Sequence, residues 1–239
     1  MKISVAQNFK SCYDILWWKA PNAITSKDGI DIVSRGYDVI DHLFTNNLLF
    51  VGINPGYDQT SKSHNTPPPS QFGFVSSLPF DYKYFKPFEK VSLECGYRGE
   101  YSYLDILVIR ETSQSKIQAE IKNNKAFLKF CQDQFLIFKK MLCMARPEVI
   151  VVCNAYAGTW MGNPANTFTP QTLKLNPYAF NYRFDDSIGT YRIKDTSCLD
   201  TVPVFFSGMF SGRHTVDKGS LERLEWQIRT AKFNNLLNI

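Results

Sequence analysis

The pentapeptide Gly52-Ile53-Asn54-Pro55-Gly56 closes an apolar run with residues suited to a tight turn. Pro55 fixes its own φ, Gly52 and Gly56 permit close approach or positive φ, and Asn54 carries donor and acceptor on one short side chain. Held rigidly, such an amide orients a water or reads the edge of a ligand. The plainer reading is that Asn54 stabilises the turn. The six cysteines, Cys12, Cys95, Cys131, Cys143, Cys153 and Cys198, form no CxxC pair and no Cys/His cluster at metal-ligand spacing. They are expected to be reduced, mostly buried thiols, with no metal and no cofactor.

Four short apolar runs, 48–53, 104–109, 149–153 and 202–206, have the composition of buried strands. Between the second and third, Cys131, Phe135, Phe138, Leu142 and Ala145 are spaced as one face of a helix that stops before Pro147. Leu221, Leu224, Ile228 and Ala231 make a second such stripe, and Ile32, Val39, Ile40 and Leu43 suggest a helix ahead of the first strand. The alternation predicts an α/β fold: a central four-stranded, mostly parallel sheet with helices on both faces. Ligands bind such sheets at the carboxyl ends of the strands, so residues 52–73, 110–115, 154–162 and 207–219 become the segments of interest. The proline-rich stretch 61–70 follows the Gly-Pro turn and is expected to be a loop beside the site.

With 239 residues, 44% of them hydrophobic, the chain is read as a single domain, 1–239. No apolar run approaches the length of a membrane span and Met1-Lys2-Ile3-Ser4 opens no signal-peptide pattern, so a cytoplasmic protein without a membrane partner is expected. A net charge of +5 is compatible with a polyanion partner and too mild to identify one.

Five blocks, in order across roughly residues 45 to 232, resemble the uracil-DNA glycosylase superfamily. Its nearest branches are those whose first motif reads GINPG or GMNPG, the mismatch-specific and the single-strand-selective enzymes. Gly52 to Gly56 matches the motif carrying the water-positioning residue, and Gln71-Phe72-Gly73 resembles the segment whose Phe stacks on the extruded pyrimidine. "DILVIRET", "RPEVIVVCNAYAG" and "VPVFFSGMFSGR" resemble the second, third and fourth strands with their loops. The resemblance implies a uracil-DNA-glycosylase-like three-layer sandwich. It also implies a monofunctional glycosylase, acting as a monomer on a damaged or mispaired pyrimidine in single-stranded or mismatched duplex DNA, in the bacterial nucleoid if the source is bacterial. The cysteine pattern excludes the superfamily's iron-sulfur branches.

By this resemblance Asn54 is the catalytic residue, orienting a water because an amide does not titrate usefully as a base. Gly52, Ile53, Gly56, Phe72 and Arg110 would surround the base, with Gly56 leaving room for a 5-methyl group. Arg110 falls where the archetypal enzymes place an Asn on the second strand, and a donor-only side chain cannot accept from uracil N3–H. Asp58 and Glu111 are alternative bases. Ser207-Gly208-Met209 fits two registers, and the preferred one makes Met209, or Phe210 beside it, the wedge that fills the vacated stack. Ser211, Arg213, Lys218 and the start of the last helix would hold phosphates. His214 either substitutes for the missing motif His or faces solvent, and Arg213 and Lys218 read equally as solvated charges. Trp17-Trp18 and the aromatic crowd at 80–88 read as packing, with the lining of a single-strand groove the alternative for the crowd. The rival functions are a noncatalytic nucleic-acid binder on the same fold and an enzyme acting on free nucleotides or nucleosides.

Overall fold

The computed structural model describes residues 1–57, 73–75, 83–165, 175–194, 198–211 and 215–237. Strand β1 (Lys2–Ser4) leads into helix α1 (Val5–Ala23), whose cap Ser4 accepts from the Gln7 N–H. Helix α2 (Lys27–Ser34) starts at the Ser26 cap and ends before Gly36, whose φ of 72° suits glycine. Strands β2 (Asp38–Ile40), β3 (His42–Phe44), β4 (Leu48–Gly52) and β5 (Gly73–Val75) follow, then helix α3 (Lys86–Glu94) and strand β6 (Ser102–Asp105). Helices α4 (Gln114–Asn123) and α5 (Lys125–Ala145) precede β7 (Val149–Val152) and α6 (Ala155–Met161). The hairpin β8 (Tyr182–Asp185) and β9 (Thr190–Ile193), strand β10 (Pro203–Phe206) and helix α7 (Lys218–Leu237) complete the described elements.

The central sheet is six-stranded and mixed, in the order β6-β4-β7-β10-β9-β8. Its first four strands run parallel, while β9 and β8 add an antiparallel edge. The expected four strands correspond to the parallel half. The hairpin escapes a search for buried runs because its segment is polar and β8 shows no fully buried residue.

Alternation along the strands divides the core. Leu49, Val51, Ile150 and Val152 face one side, packed with residues of α1, α4, α5 and α6. Leu48, Phe50, Val149 and Val151 face the other, against Phe88 and Val91 of α3 and Leu224, Ile228 and Ala231 of α7. Helices therefore cover both faces. The N-terminal segment contributes Tyr13 and Trp17, whose rings stack in a cluster with Tyr37 and Phe130. Trp17 is core and Trp18 is exposed.

Three expectations need correction. The helix suggested across Ile32 to Leu43 ends at Ser34, because Gly36 turns the chain and Asp38–Ile40 pairs instead with Gly73–Val75. The second strand stops at Asp105; beyond it Val108 donates to Gln134 Oε1 and Ile109 bridges Tyr37, so 106–109 are buried by different partners. Two thiols are not free: Cys143 near the end of α5 is bonded to Cys198 in the turn before β10, and Cys12, Cys95, Cys131 and Cys153 remain reduced. Sequence spacing could not show that pairing, since 55 residues separate the two. No helix among the described residues is long and apolar enough to cross a membrane.

Candidate functional site

Because β6, β4, β7 and β10 are parallel, Asp105, Gly52, Val152 and Phe206 share the carboxyl edge of the sheet. After β4 the chain adds β6 on one side and then β7 on the other, so the direction of winding changes between β4 and β7. Such a switch point opens a crevice for ligands. The turn after β4 sits there.

Gly52 is fixed by close approach. It lies opposite Asp105 in register, and a Cβ built on it would overlap both the Tyr103 hydroxyl and the Asp105 Oδ1. Ile53 is buried in the core below the turn. Asn54 is half-buried, and its Nδ2 donates to the carbonyls of Pro55 at 2.9 Å and Glu111 at 2.5 Å, with that of Ile109 at 3.5 Å. Three carbonyls around the nitrogen fix the orientation of the amide. Asn54 thus staples the turn to the segment after β6, and what it has left to offer a water or ligand is Oδ1. Gly56 is exposed, and among the described residues a Cβ there would meet only Thr112 Oγ1 at 3.8 Å.

The carboxyl edge also carries groups that reasoning from the sequence missed. Tyr103 Oη donates to Asp105 Oδ1 at 3.3 Å and lies 3.3 Å from Tyr84 Oη. Burial pushes the Asp105 carboxyl up to about 8; the Tyr103 hydrogen bond opposes the shift and the neighbouring Asp38 adds to it. Asp105 keeps some solvent exposure although protein surrounds it closely. Asp38, at the start of β2, is raised to about 6 by burial, with the Arg110 charge and the Val39 N–H pulling the other way. Its Oδ1 is buried without a hydrogen-bond partner among the described residues. Two carboxyls within electrostatic reach at a strand end are the arrangement that separates an acid from a base.

Arg110 lies five residues beyond the end of β6 and is 1% exposed. Its Nη1 donates to the Arg35 carbonyl at 3.3 Å, and its guanidinium lies 5.2 Å from the centre of the Tyr57 ring, where Arg35 stacks at 4.4 Å. Arg110 therefore braces the loop instead of facing an open site. Glu111 is likewise committed: Oε2 accepts from Arg35 Nη1 at 2.8 Å and Oε1 from the Ser113 N–H at 2.9 Å. An ion-paired, buried carboxylate is a poor general base. Asp58, Phe72, Arg213, His214 and the stretch 61–70 lie outside the described residues.

Beyond β10, the Ser207 N–H donates to the Val152 carbonyl at 2.8 Å, and Met209 bridges Thr215. Gly208 is exposed, Met209 half-buried, and an added Cβ on Gly208 would lie 3.0 Å from Val216. Phe210 is core, packed against Phe50 and Phe88, which removes it as a wedge. Ser211 Oγ donates to the Tyr84 carbonyl at 2.7 Å. At the start of α7 the Ser220 N–H and hydroxyl both donate to Asp217, holding that carboxyl below its usual range. Exposed Lys218 pairs with Glu222 at 3.6 Å. The helix start expected to take a phosphate already carries a carboxylate.

Among the described residues no group of three or more His, Cys, Asp or Glu is placed to hold a metal ion. No protein-family model and no curated protein matches the chain.

Proposed function

We propose that this protein is a monofunctional DNA glycosylase with a uracil-DNA-glycosylase-like three-layer sandwich, hydrolysing the N-glycosidic bond of a damaged or mispaired pyrimidine. One observation carries the reading: Asn54, at the switch point of the sheet, has its amide nitrogen committed to main-chain carbonyls, which reserves Oδ1 for a water or ligand. The parallel half of the sheet with helices on both faces supports the same reading.

In this mechanism the nucleotide leaves the stack, because the bond is out of reach inside a duplex. Met209, on the loop after β10, fills the gap; β10 lies two strand spacings from β4, roughly 10 Å, room for a flipped base between them. Asn54 Oδ1 accepts a hydrogen bond from the attacking water and aims it at the sugar carbon. As the bond breaks, negative charge develops on the base and needs a donor at the carboxyl edge. Among the described residues, Gly56 leaves space for a 5-methyl substituent.

An alkali strand-cleavage assay tests this, using labelled oligonucleotides containing uracil, thymine opposite guanine, hypoxanthine or ethenocytosine, single- and double-stranded. Wild type is expected to produce abasic sites, and Asn54→Ala to lower the rate by about 100-fold or more. Absence of product from every oligonucleotide would overturn the proposal. A second reading, a hydrolase of free nucleosides, is favoured by one observation: Ser211, Lys218 and the start of α7 already have partners within the chain. Base release from deoxyuridine but from no oligonucleotide would establish it.

A further inference from the structure

Helix α2 belongs to the stretch ahead of the five resembling blocks, and the mechanism derived from Asn54 gives it no task. The helix is capped by Arg35, where the backbone has little freedom. The Arg35 N–H donates to the Ile32 carbonyl, Gly36 turns the chain at positive φ, and Tyr37 bridges Ile109. Trp17 Nε1 holds the neighbouring Val33 carbonyl from the core side.

From this fixed base the Arg35 side chain runs to the segment that orients Asn54. Its Nη1 donates to Glu111 Oε2 at 2.8 Å and lies 3.4 Å from the Arg110 carbonyl, while Arg110 Nη1 returns a bond to the Arg35 carbonyl at 3.3 Å. Nη2 pairs with Asp31 one helical turn back, and the Tyr57 ring covers the guanidinium at 4.4 Å. The Glu111 peptide faces the site turn: its carbonyl accepts from Asn54 Nδ2, and its N–H donates to the Pro55 carbonyl at 3.2 Å. One residue therefore joins Arg35, through its side chain, to Asn54, through its main chain.

Arg35 is 9% exposed and Glu111 7%. A buried ion pair adds little net stability over well-packed apolar side chains of the same volume, so stability alone gives no reason for this one. What apolar side chains cannot supply is direction. A guanidinium fork bonded to two neighbouring residues of the loop fixes the angle of the peptide between them.

We propose that Arg35 is a positioning residue: by holding the Glu111 peptide it sets the angle of the Asn54 amide, and with it the direction in which Oδ1 presents a water. The reaction it serves rests on the glycosylase reading. Among the described residues Arg35 makes no hydrogen bond to Asn54, so its effect passes through Glu111. Lysine at this position could reach one of these partners at a time, not all together.

The test compares Arg35→Met, Arg35→Lys and Lys116→Met with wild type. Lys116 pairs with the same Asp31 and Glu111, at 3.1 and 3.8 Å, and among the described residues it bonds no carbonyl of 109–111, so its loss removes charge from the cluster without releasing the peptide. The first readout is the NMR signal of the Asn54 side-chain amide, assigned by its disappearance in Asn54→Ala. Wild type and Lys116→Met should show two well-separated protons, slow to exchange with solvent. In Arg35→Met they should draw together and exchange about 10-fold faster or more, with Arg35→Lys between. The second readout is single-turnover base release. Arg35→Met should slow it by about 10- to 100-fold and leave half-saturation within about 2-fold of wild type. In an Asn54→Ala background the same substitution should change the rate by less than about 2-fold, because the residue it acts through is gone.

Wild-type amide signals in Arg35→Met, an equal loss of rate in both backgrounds, or a Lys116→Met that behaves as Arg35→Met would each overturn the proposal. Should Arg35→Met fail to fold, Arg35→Lys decides alone: wild-type amide signals and rate in that variant overturn it. A loosened amide with no base release by wild type from any oligonucleotide or nucleoside would uphold the positioning role and sink the glycosylase. Base release by wild type, with the amide undisturbed in Arg35→Met, would do the reverse.

Discussion

Asp105→Asn should stabilise the protein increasingly as pH rises. In the unfolded chain an aspartate ionises near 3.8, whereas in the fold burial and Asp38 hold Asp105 protonated to about 8. Between those values the native state binds one more proton than the unfolded state, so stability falls with rising pH at about 1.4 kcal/mol per unit. From pH 5 to pH 8 the slope alone costs about 4 kcal/mol; the residual exposure of the carboxyl reduces this to about 2–4 kcal/mol. Asparagine keeps the acceptor for Tyr103 and cannot ionise, so it removes the slope. Urea unfolding midpoints of wild type and variant at four pH values across that range measure the difference directly, because groups common to both cancel. The gap should widen steadily toward alkaline pH. Curves that stay parallel, or a variant that loses ground above neutrality, would show that Asp105 is ionised in the fold and would refute the reasoning.

Gly52→Ala should cost about 2–4 kcal/mol, from overpacking against Tyr103 and Asp105 and loss of their hydrogen bond, and lower the thermal midpoint by about 5–15 °C; a melt within experimental error of wild type would show the close approach to be slack. Cys198→Ser should cost about 2–4 kcal/mol by releasing the loop closed with Cys143, and make the melting curve insensitive to reductant, whereas wild type shifts when reduced. Phe210→Ala should cost about 3–5 kcal/mol in a urea titration, because its ring packs among Phe50 and Phe88, while Met209→Ala, half-buried on the loop, should cost no more than about 1 kcal/mol and instead weaken binding to a mismatched duplex.

Elements that bury one periodic stripe or one short apolar run were legible: β4, β7, β10, α5 and α7 lie within a few residues of where their patterns put them. What composition could not carry was partnership. Asn54 reads as a turn residue in isolation, and two of the three carbonyls that orient its amide come from residues 109 and 111, more than fifty positions away. Cys143 and Cys198 are scattered thiols until α5 and the turn before β10 are brought together. Strand β8 has no fully buried residue, and β9, although Thr190, Arg192 and Ile193 are buried, carries too many polar residues to register as an apolar run.

The site residue most plainly missed, Asp105, shows why a long apolar run conceals its own end. Residues 104–109 read as one continuous strand because all but Asp105 are apolar, and in the fold all but Asp105 are buried, yet the first half pairs with β4 while Val108 and Ile109 are taken up by Tyr37, Asp38 and Gln134. Burial is all that hydrophobicity reports, and it does not change where the pairing does. The misplaced boundary is what set Arg110 at the strand end, five residues beyond where β6 stops. One signal was present: a single acid with apolar neighbours on both sides. An isolated carboxylate in such a run costs too much to bury ionised, so it must be paired, exposed or protonated. No lysine or arginine sits within four residues of Asp105 to pair with it locally. The remaining choices, a strand end at the surface or a retained proton, both hold for Asp105, which is why the acid in the run marks the carboxyl edge better than the basic residue at its end.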